Sequence, residues 1–340
     1  MSATIRLLIL GTGGMARNHA EAFAAIDGVV VVAGVDSRPD VLAEFCKEFE
    51  IEHAFETLDE ALEWGQFDAA TNVTPDAVHC QTTMSLLDAG KHVLCEKPLA
   101  VNSADATSMA KKAALTGLVN MVNLSYRQIP AIQKAAQMVS QGVIGEVRHF
   151  EASYLQSWLT QPAWGDWKTE SQWLWRLSTA HGSNGVLGDV GIHILDLATF
   201  VSGSMPIDLD CRLKTFSKAP GDKIGEYSLD ANDSFVLHAE LENGAIGTIS
   251  ATRFASGHHN DLRLRLYGEK GGLEVLFEKN IGRLNVCLDE QMITQQWVEV
   301  QTESVPSNYQ TFIASIQAKT AVQPDFEKGA QLQYWLDKAI

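Results

Sequence analysis

At 340 residues the chain has room for about two domains, and its 46% apolar and 20% charged residues are what core-forming globular proteins carry. A formal net charge of −16, with no long basic run, argues against nucleic acid as a partner. Five scattered cysteines (Cys46, Cys80, Cys95, Cys211, Cys287) form no C-x-x-C pair, so no metal site and no disulfide framework is expected. No stretch approaches the ~20 apolar residues of a membrane span. In the opening "MSATIRLLILGTGGMA", glycines interrupt the apolar run where a signal peptide would have a cleavage site, so a cytoplasmic location is expected.

From Ile5 to about Val122 short β-branched runs alternate with helical patterns. Strands are expected at 5–10, 29–35, 68–73, 92–96 and 118–122, with a weaker one at 53–55. Pro39 suits a first helical turn, Asp76 can cap a helix that Gly90 stops, and Ser103 and Gly117 bracket the next. Such alternation argues for an α/β, doubly wound parallel sheet over residues 1–124. The rhythm then changes. A helix near 131–141 ends at Gly142, and strands follow from Glu146. From Asp233 the pattern is a meander, with hairpin signals at Asn243-Gly244 and around Gly271-Gly272. "GRLNVCL" and "WVEV" add strands, and the tail from Asp325 reads as a helix. Residues 125–340 are therefore expected to form a C-terminal α+β domain with a large, mostly antiparallel open sheet.

Three motifs carry chemistry. In "LLILGTGGMA", Gly11, Gly13 and Ala16 fit G-x-G-x-x-G/A directly after strand one, with Thr12, Gly14 and Met15 completing a loop that opens a helix. That is the Rossmann fingerprint, in which a pyrophosphate meets the helix amino terminus. Asp36 ends the second strand, where an acid can accept from the adenosine ribose and disfavour NADP. Ser37 and Arg38 beside it could hold the extra phosphate, so NAD is expected and NADP stays open. In "HVLCEKPLA", Glu96, Lys97 and Pro98 stand at the carboxyl edge of the sheet, as a strand stop or as a site. In "GDVGIHILD", Asp189 and His193 lie at i and i+4 of a helix expected from about Leu187, a spacing that lets a carboxylate orient a proton-transferring imidazole; Asp196 is three residues beyond His193. Trp158, Trp164, Trp167, Trp173 and Trp175 cluster just before this helix, as core or as aromatic faces for a sugar ring.

Together these elements resemble the glucose–fructose oxidoreductase/inositol dehydrogenase/rhizopine catabolism (Gfo/Idh/MocA) family. The likeness extends to "FDAATNVTPDAVH", "NLSYRQIPAIQKAAQMVSQGVIGEV", "WRLSTAHGSNGVLGDVGIHILD" and "PDFEKGAQLQYWLDKAI", nearly the whole chain. It implies an NAD(P)-dependent oxidoreductase acting on a secondary hydroxyl or carbonyl of a sugar, sugar derivative or cyclitol, assembled as a homodimer or homotetramer. Two alternatives are an NAD-retaining glycosidase working by transient oxidation and elimination, and a non-catalytic dinucleotide-sensing regulator. By the same resemblance Lys97 would polarise the substrate oxygen, His193 would take the alcohol proton, and Asp189 would position substrate or imidazole. Glu96, Thr74, Pro75 and His79 would lie on the cofactor side, although for His79 a structural place is read first. Arg127 and Trp175 would lie on the substrate side, with a structural arginine weighed equally at Arg127. Asn72 and the "SNG" at 183–185 depart from the family pattern.

Overall fold

Short apolar runs followed by helices, of which all but the first start at a proline, asparagine or threonine, build the first of two units in the computed structural model. The structure describes residues 4–162 and 164–340. The strands of this unit are β1 (Ile5–Leu10), β2 (Val29–Val35), β3 (His53–Phe55), β4 (Ala69–Asn72), β5 (His92–Cys95) and β6 (Asn120–Val122). Its helices are α1 (Gly14–Ala24), α2 (Pro39–Glu48), α3 (Leu58–Trp64), α4 (Asp76–Asp88) and α5 (Ser103–Thr116). All six strands pair in parallel in the order β3-β2-β1-β4-β5-β6. Leu7, Leu8, Ile9, Val93 and Leu94 are fully buried, as in a sheet covered on both faces. Strand order reverses between β1 and β4, and the crevice at that switch point is where such sheets bind ligands.

Two helix starts differ from the sequence expectation by one residue. Pro75 occupies the cap position of α4, with Asp76 in its first turn. Asn102, not Ser103, caps α5, accepting from the Asp105 N–H at 2.9 Å. Asparagine is as good a cap as serine, so local preference did not decide between neighbours.

The second unit holds α6 (Pro130–Ser140), β7 (Val147–Gln156), α7 (Ser171–Leu174), α8 (Ile192–Ser202), β8 (Pro206–Lys214), the small pair β9 (Lys223–Ile224) and β10 (Tyr227–Ser228), and β11 (Ser234–Leu241). It continues through β12 (Ile246–Thr252), β13 (Asn260–Gly268), β14 (Gly271–Glu278), β15 (Ile281–Leu288), α9 (Glu290–Thr294) and β16 (Val298–Val300). An eight-stranded sheet runs β16-β15-β14-β13-β7-β12-β11-β8; β7 and β12 are parallel and the other neighbours antiparallel. Along β11, Phe235, Leu237, Ala239 and Leu241 point into the core while alternate residues face outward. Helices α6 and α8 pack on the sheet, and the charged set Arg263, Arg265 and Glu274 sits among its partly exposed residues.

The Asn243-Gly244 turn forms as expected, with Gly244 at φ +79°. Gly271 and Gly272 do not turn the chain; Glu269 and Lys270 do, and both glycines lie in β14. A Cβ on Gly271 would stand 2.5 Å from the Cys287 carbonyl oxygen, so close approach of β15 explains this glycine.

Finally the chain returns to the first unit with α10 (Asn308–Ala318) and most of α11 (Phe326–Lys338). Phe312, Ile313 and Val322 bury against Ile5, Leu7, Phe23 and Leu94. The packed units are thus Met1–Ser125 with Pro306–Tyr334, and Tyr126–Val305 with Trp335–Ile340, a division that differs from a single boundary at 124/125. Among the described residues no helix is long and apolar enough to cross a membrane.

Candidate active site

The glycine loop leaves β1 with Gly11 at φ +85°, a left-handed conformation, and a Cβ there would lie 2.8 Å from the Val73 carbonyl group. Only glycine meets both demands. Helix α1 then starts at Gly14 with no side-chain cap and no acid in its first turn, so its free N–H groups await an acceptor. Apart from the adjoining residues and the helix's own backbone, no described atom lies within 4 Å of where a Gly14 Cβ would be, and Met15 beside it is 49% exposed. An uncapped helix start under open space fits a dinucleotide pyrophosphate.

Asp36, buried at the end of β2, accepts from Thr12 N–H (2.9 Å) and Oγ1 (3.0 Å) on one oxygen. Arg38 adds its own N–H and Nε on the other oxygen, and Nη2 on the first at 2.8 Å. Burial pushes the Asp36 carboxyl up, but Arg38 and Thr12 outweigh it and hold the group well below the usual carboxylate range. Its lone pairs are all engaged, so a ribose hydroxyl must displace part of the Arg38 contact to reach it. Ser37 and Arg38 are both exposed.

Asn72, the departure on β4, is fully buried and uses every polar valence. Its Nδ2 donates to Thr82 and Thr83 hydroxyls, and its Oδ1 accepts from Thr74 N–H and Oγ1. It therefore fixes the Thr74-Pro75 loop to α4. His79 serves the same loop from beneath: Nε2 lies 2.8 Å from the Thr74 carbonyl oxygen and Nδ1 2.9 Å from that of Pro98. At 1% exposure its ring is buried, with both nitrogens turned to backbone carbonyl oxygens, the structural place read first for it. Burial pulls its imidazole down, but the Cys95 sulfur and the two carbonyls raise it to about 9.

Glu96 is 8% exposed and turned inward. His19 Nε2 (2.8 Å) and Asn123 Nδ2 (2.6 Å) reach one oxygen, and Lys97 N–H the other at 3.2 Å. The His19 Nδ1 meets Thr71 Oγ1 at 2.7 Å, and Asn308 Nδ2 donates to Asn123 Oδ1. Burial opposes the charge on Glu96, yet His19, Asn123 and Lys97 hold its carboxyl below its ordinary value. The acid of the E-K-P triplet thus anchors the backbone at Lys97, whose side chain is half-buried, and the Lys97–Pro98 peptide is cis. The sequence reading missed His19. Its signal was a polar residue on the inner stripe of α1 with Ala16, Ala20 and Phe23.

In the second unit Asp189 and His193 fall on a single helical run, but Leu187–Gly191 is a π-turn and α8 begins at Ile192. Such wide turns recur at functional sites. Asp189 Oδ1 lies 3.5 Å from Arg176 Nη1, and Oδ2 3.2 Å from Arg253 Nη2. The His193 ring meets Tyr126 edge-on, with centroids 4.9 Å apart, and Tyr154 at 6.4 Å. The two tyrosine hydroxyls bond each other, and Asn260 Nδ2 donates to that of Tyr126 at 3.0 Å. Burial pushes both phenols up, so they stay protonated beside the His193 ring. Tyr126, Tyr154, Asn260 and Arg253 come from separate segments, and nothing in their local sequence marks them.

Arg127 is 5% exposed and donates through Nε (2.9 Å) and Nη2 (2.5 Å) to both oxygens of Asp196. The pair ties α8 to the Arg127 segment, the structural one of the places weighed for this arginine. Of the tryptophans, Trp158 and Trp167 belong to a buried cluster with Leu159, Leu174, Leu177 and Leu229, and Trp164 and Trp173 pack against it. Trp175 is 39% exposed, with the Arg176 guanidinium 4.6 Å from its ring centroid.

Residues 5–124 match the family model described as an oxidoreductase family with an NAD-binding Rossmann fold, and residues 132–274 match the GFO/IDH/MocA C-terminal domain. Levoglucosan dehydrogenase of Pseudarthrobacter phenanthrenivorans is 25% identical over 293 residues, covering 80% of this chain and 73% of its own. D-glucoside 3-dehydrogenase of Escherichia coli is 26% identical over 343 residues, covering 98% and 93%. The crystal structure of an oxidoreductase domain protein from Kribbella flavida superposes with a TM-score of 0.87 at 27% identity, covering 99% of this chain and 96% of that one.

Proposed function

Because the chain belongs to the GFO/IDH/MocA family of NAD-binding oxidoreductases, we propose that it moves a hydride between NAD and a secondary hydroxyl or carbonyl of a sugar, sugar derivative or cyclitol. The observation that carries this reading is the uncapped glycine-loop helix start of the first unit, on a chain that also holds the residues the family resemblance implies for the reaction: Lys97 in that unit, and Asp189 with His193 on one helical run of the second. The sugar dehydrogenases to which the chain is similar support the substrate class.

NAD, when bound, supplies the hydride acceptor. Gly11, Gly13 and the first N–H groups of α1 would hold its pyrophosphate, and Asp36 would accept from the adenosine ribose. The Asp36 charge repels a second phosphate, which favours NAD over NADP. Lys97 donates to the substrate oxygen and stabilises the negative charge that grows there. His193 receives the hydroxyl proton, with Tyr126 and Tyr154 packed on its ring to hold its orientation. Asp189 accepts from a neighbouring hydroxyl and fixes the ring of the substrate.

The test is a panel of levoglucosan, glucosides, free hexoses and inositols with NAD and NADP, followed at the reduced-nicotinamide absorbance band. Turnover of at least one sugar with NAD is expected, and Lys97→Met should lower kcat more than it raises KM. Glycoside cleavage without net NADH would favour the NAD-retaining glycosidase. NADH binding with no turnover of any kind would leave a sensor.

A further inference from the structure

Arg253 follows directly on the last residue of β12 and is completely buried, at 0% exposure. Burying a cation is costly unless it is paired, and an apolar side chain would fill the same space without that cost. Its contacts show what the charge does. Nη2 donates to Asp189 Oδ2 at 3.2 Å, and Nη1 donates to the Arg176 carbonyl at 3.0 Å. The guanidinium lies 4.9 Å from the Trp158 ring centroid. Its own N–H donates to the Asp233 carbonyl at 3.0 Å, and Asp233 Oδ2 is taken by Lys218 Nζ (2.7 Å) and the Phe216 N–H (2.8 Å), while Asp233 Oδ1 and Arg253 Nε form no hydrogen bond. Among the described contacts Asp189 is the carboxylate to which the Arg253 guanidinium donates a hydrogen bond, and Asp233 acts on it through charge alone.

The same guanidinium fixes the segment that carries Arg176. That carbonyl also accepts from Ser183 Oγ at 2.6 Å, so the departing "SNG" stretch contributes to the same anchor. Arg176 Nη1 then approaches the other oxygen of Asp189 from the exposed side, with Trp175 under its guanidinium. Asp189 keeps 25% of its side chain exposed between the two arginines.

We infer that Arg253 is a positioning residue, a buried guanidinium that sets the orientation of the Asp189 carboxylate and, through the Arg176 carbonyl, of the Trp175-Arg176 segment beside it. The inference rests on the reading that Asp189 touches substrate. It explains why a fully buried position holds an arginine. The planar fork reaches two acceptors on different segments at once, and a lysine ammonium lacks that geometry.

The test is a double-mutant cycle over wild type, Arg253→Met, Asp189→Asn and the double variant, read in two ways on the same preparations. Thermal midpoints need no substrate. If the grip exists, each single change lowers the midpoint and the double change lowers it by less than their sum, since the second removal strands nothing further. Turnover of the fastest sugar in the panel reads the functional consequence. Arg253→Met should cost about 10²-fold in kcat/KM, mostly in kcat, with NADH affinity within about two-fold, because a misplaced group near the reacting centre costs that much. The double variant should be no slower than Asp189→Asn alone. Additive losses in either reading, or Arg253→Met turning over within a few-fold of wild type, overturn the inference. If Arg253→Met does not fold, Arg253→Gln, which keeps a donor for the Arg176 carbonyl but removes the charge facing Asp189, takes its place in the cycle with the same criteria. If wild type oxidises no sugar, the proposed function fails while the thermal cycle still decides the grip.

Discussion

Arg127→Met separates a structural arginine from a substrate-binding one. The substitution keeps most of the stem and removes a guanidinium that donates to both oxygens of Asp196 and lies 4.3 Å from the Phe200 ring centroid. Asp196 is 3% exposed, so its carboxylate is left buried without its cation. Breaking a buried pair from one side costs about 3–5 kcal/mol. In a domain of this size each kcal/mol moves the midpoint by about 2–4 °C, so the unit holding α8 should melt roughly 6–20 °C lower. Arg127→Met combined with Asp196→Leu should recover much of that loss, because no stranded charge remains. The assay is circular dichroism melting alongside sugar kinetics well below the lower midpoint, where KM should stay within a few-fold of wild type. A melting midpoint unchanged by Arg127→Met, together with a strongly raised KM, would refute the pairing argument and return Arg127 to the substrate.

Further outcomes follow from the site itself. His193→Ala should lower kcat by roughly 10²–10⁴-fold with NADH affinity nearly unchanged, as single-turnover and binding measurements would reveal. Asp36→Ala should shift the ratio of NADPH to NADH affinity toward NADPH, because it removes the repelling charge and frees Arg38; an unchanged ratio in paired titrations would sink that assignment. His79 stands between two carbonyl oxygens that only its protonated ring can satisfy together. Its raised value of about 9 means that its contribution to stability is complete below its unfolded value of about 6.5 and is lost as pH rises through 9. Melting curves across that window should show the decline, and His79→Gln should flatten it.

Much of the first unit was legible before any coordinate. Periodicity and β-branched runs mark β1, β2, β4 and β5 to within about a residue or two, because a strand buried on both faces leaves a continuous apolar run. Gly11, Gly13 and Ala16 declare their turn because the constraint is local: a positive φ and a close backbone neighbour exclude other residues wherever the chain goes afterwards. Asp36, Lys97, Asp189 and His193 could be singled out because strand ends and one-turn spacings are also local properties.

Tertiary structure decided which of the remaining polar groups are free and which are spent. Arg127 and Asp196 are 69 residues apart, Arg253 and Asp189 64 apart, and His19 and Glu96 77 apart. No window of sequence contains both members of any of these pairs. The same holds for 306–334, whose amphipathic helices need an apolar surface but do not specify which one, until Phe312 and Ile313 close on the core around Leu7 and Phe23. Gly271 fits a turn or a strand equally well until β15 comes near enough to exclude a Cβ. A charged side chain looks the same in sequence whether it faces water or a buried partner, and its role is set by desolvation and pairing, which exist only once distant segments have packed.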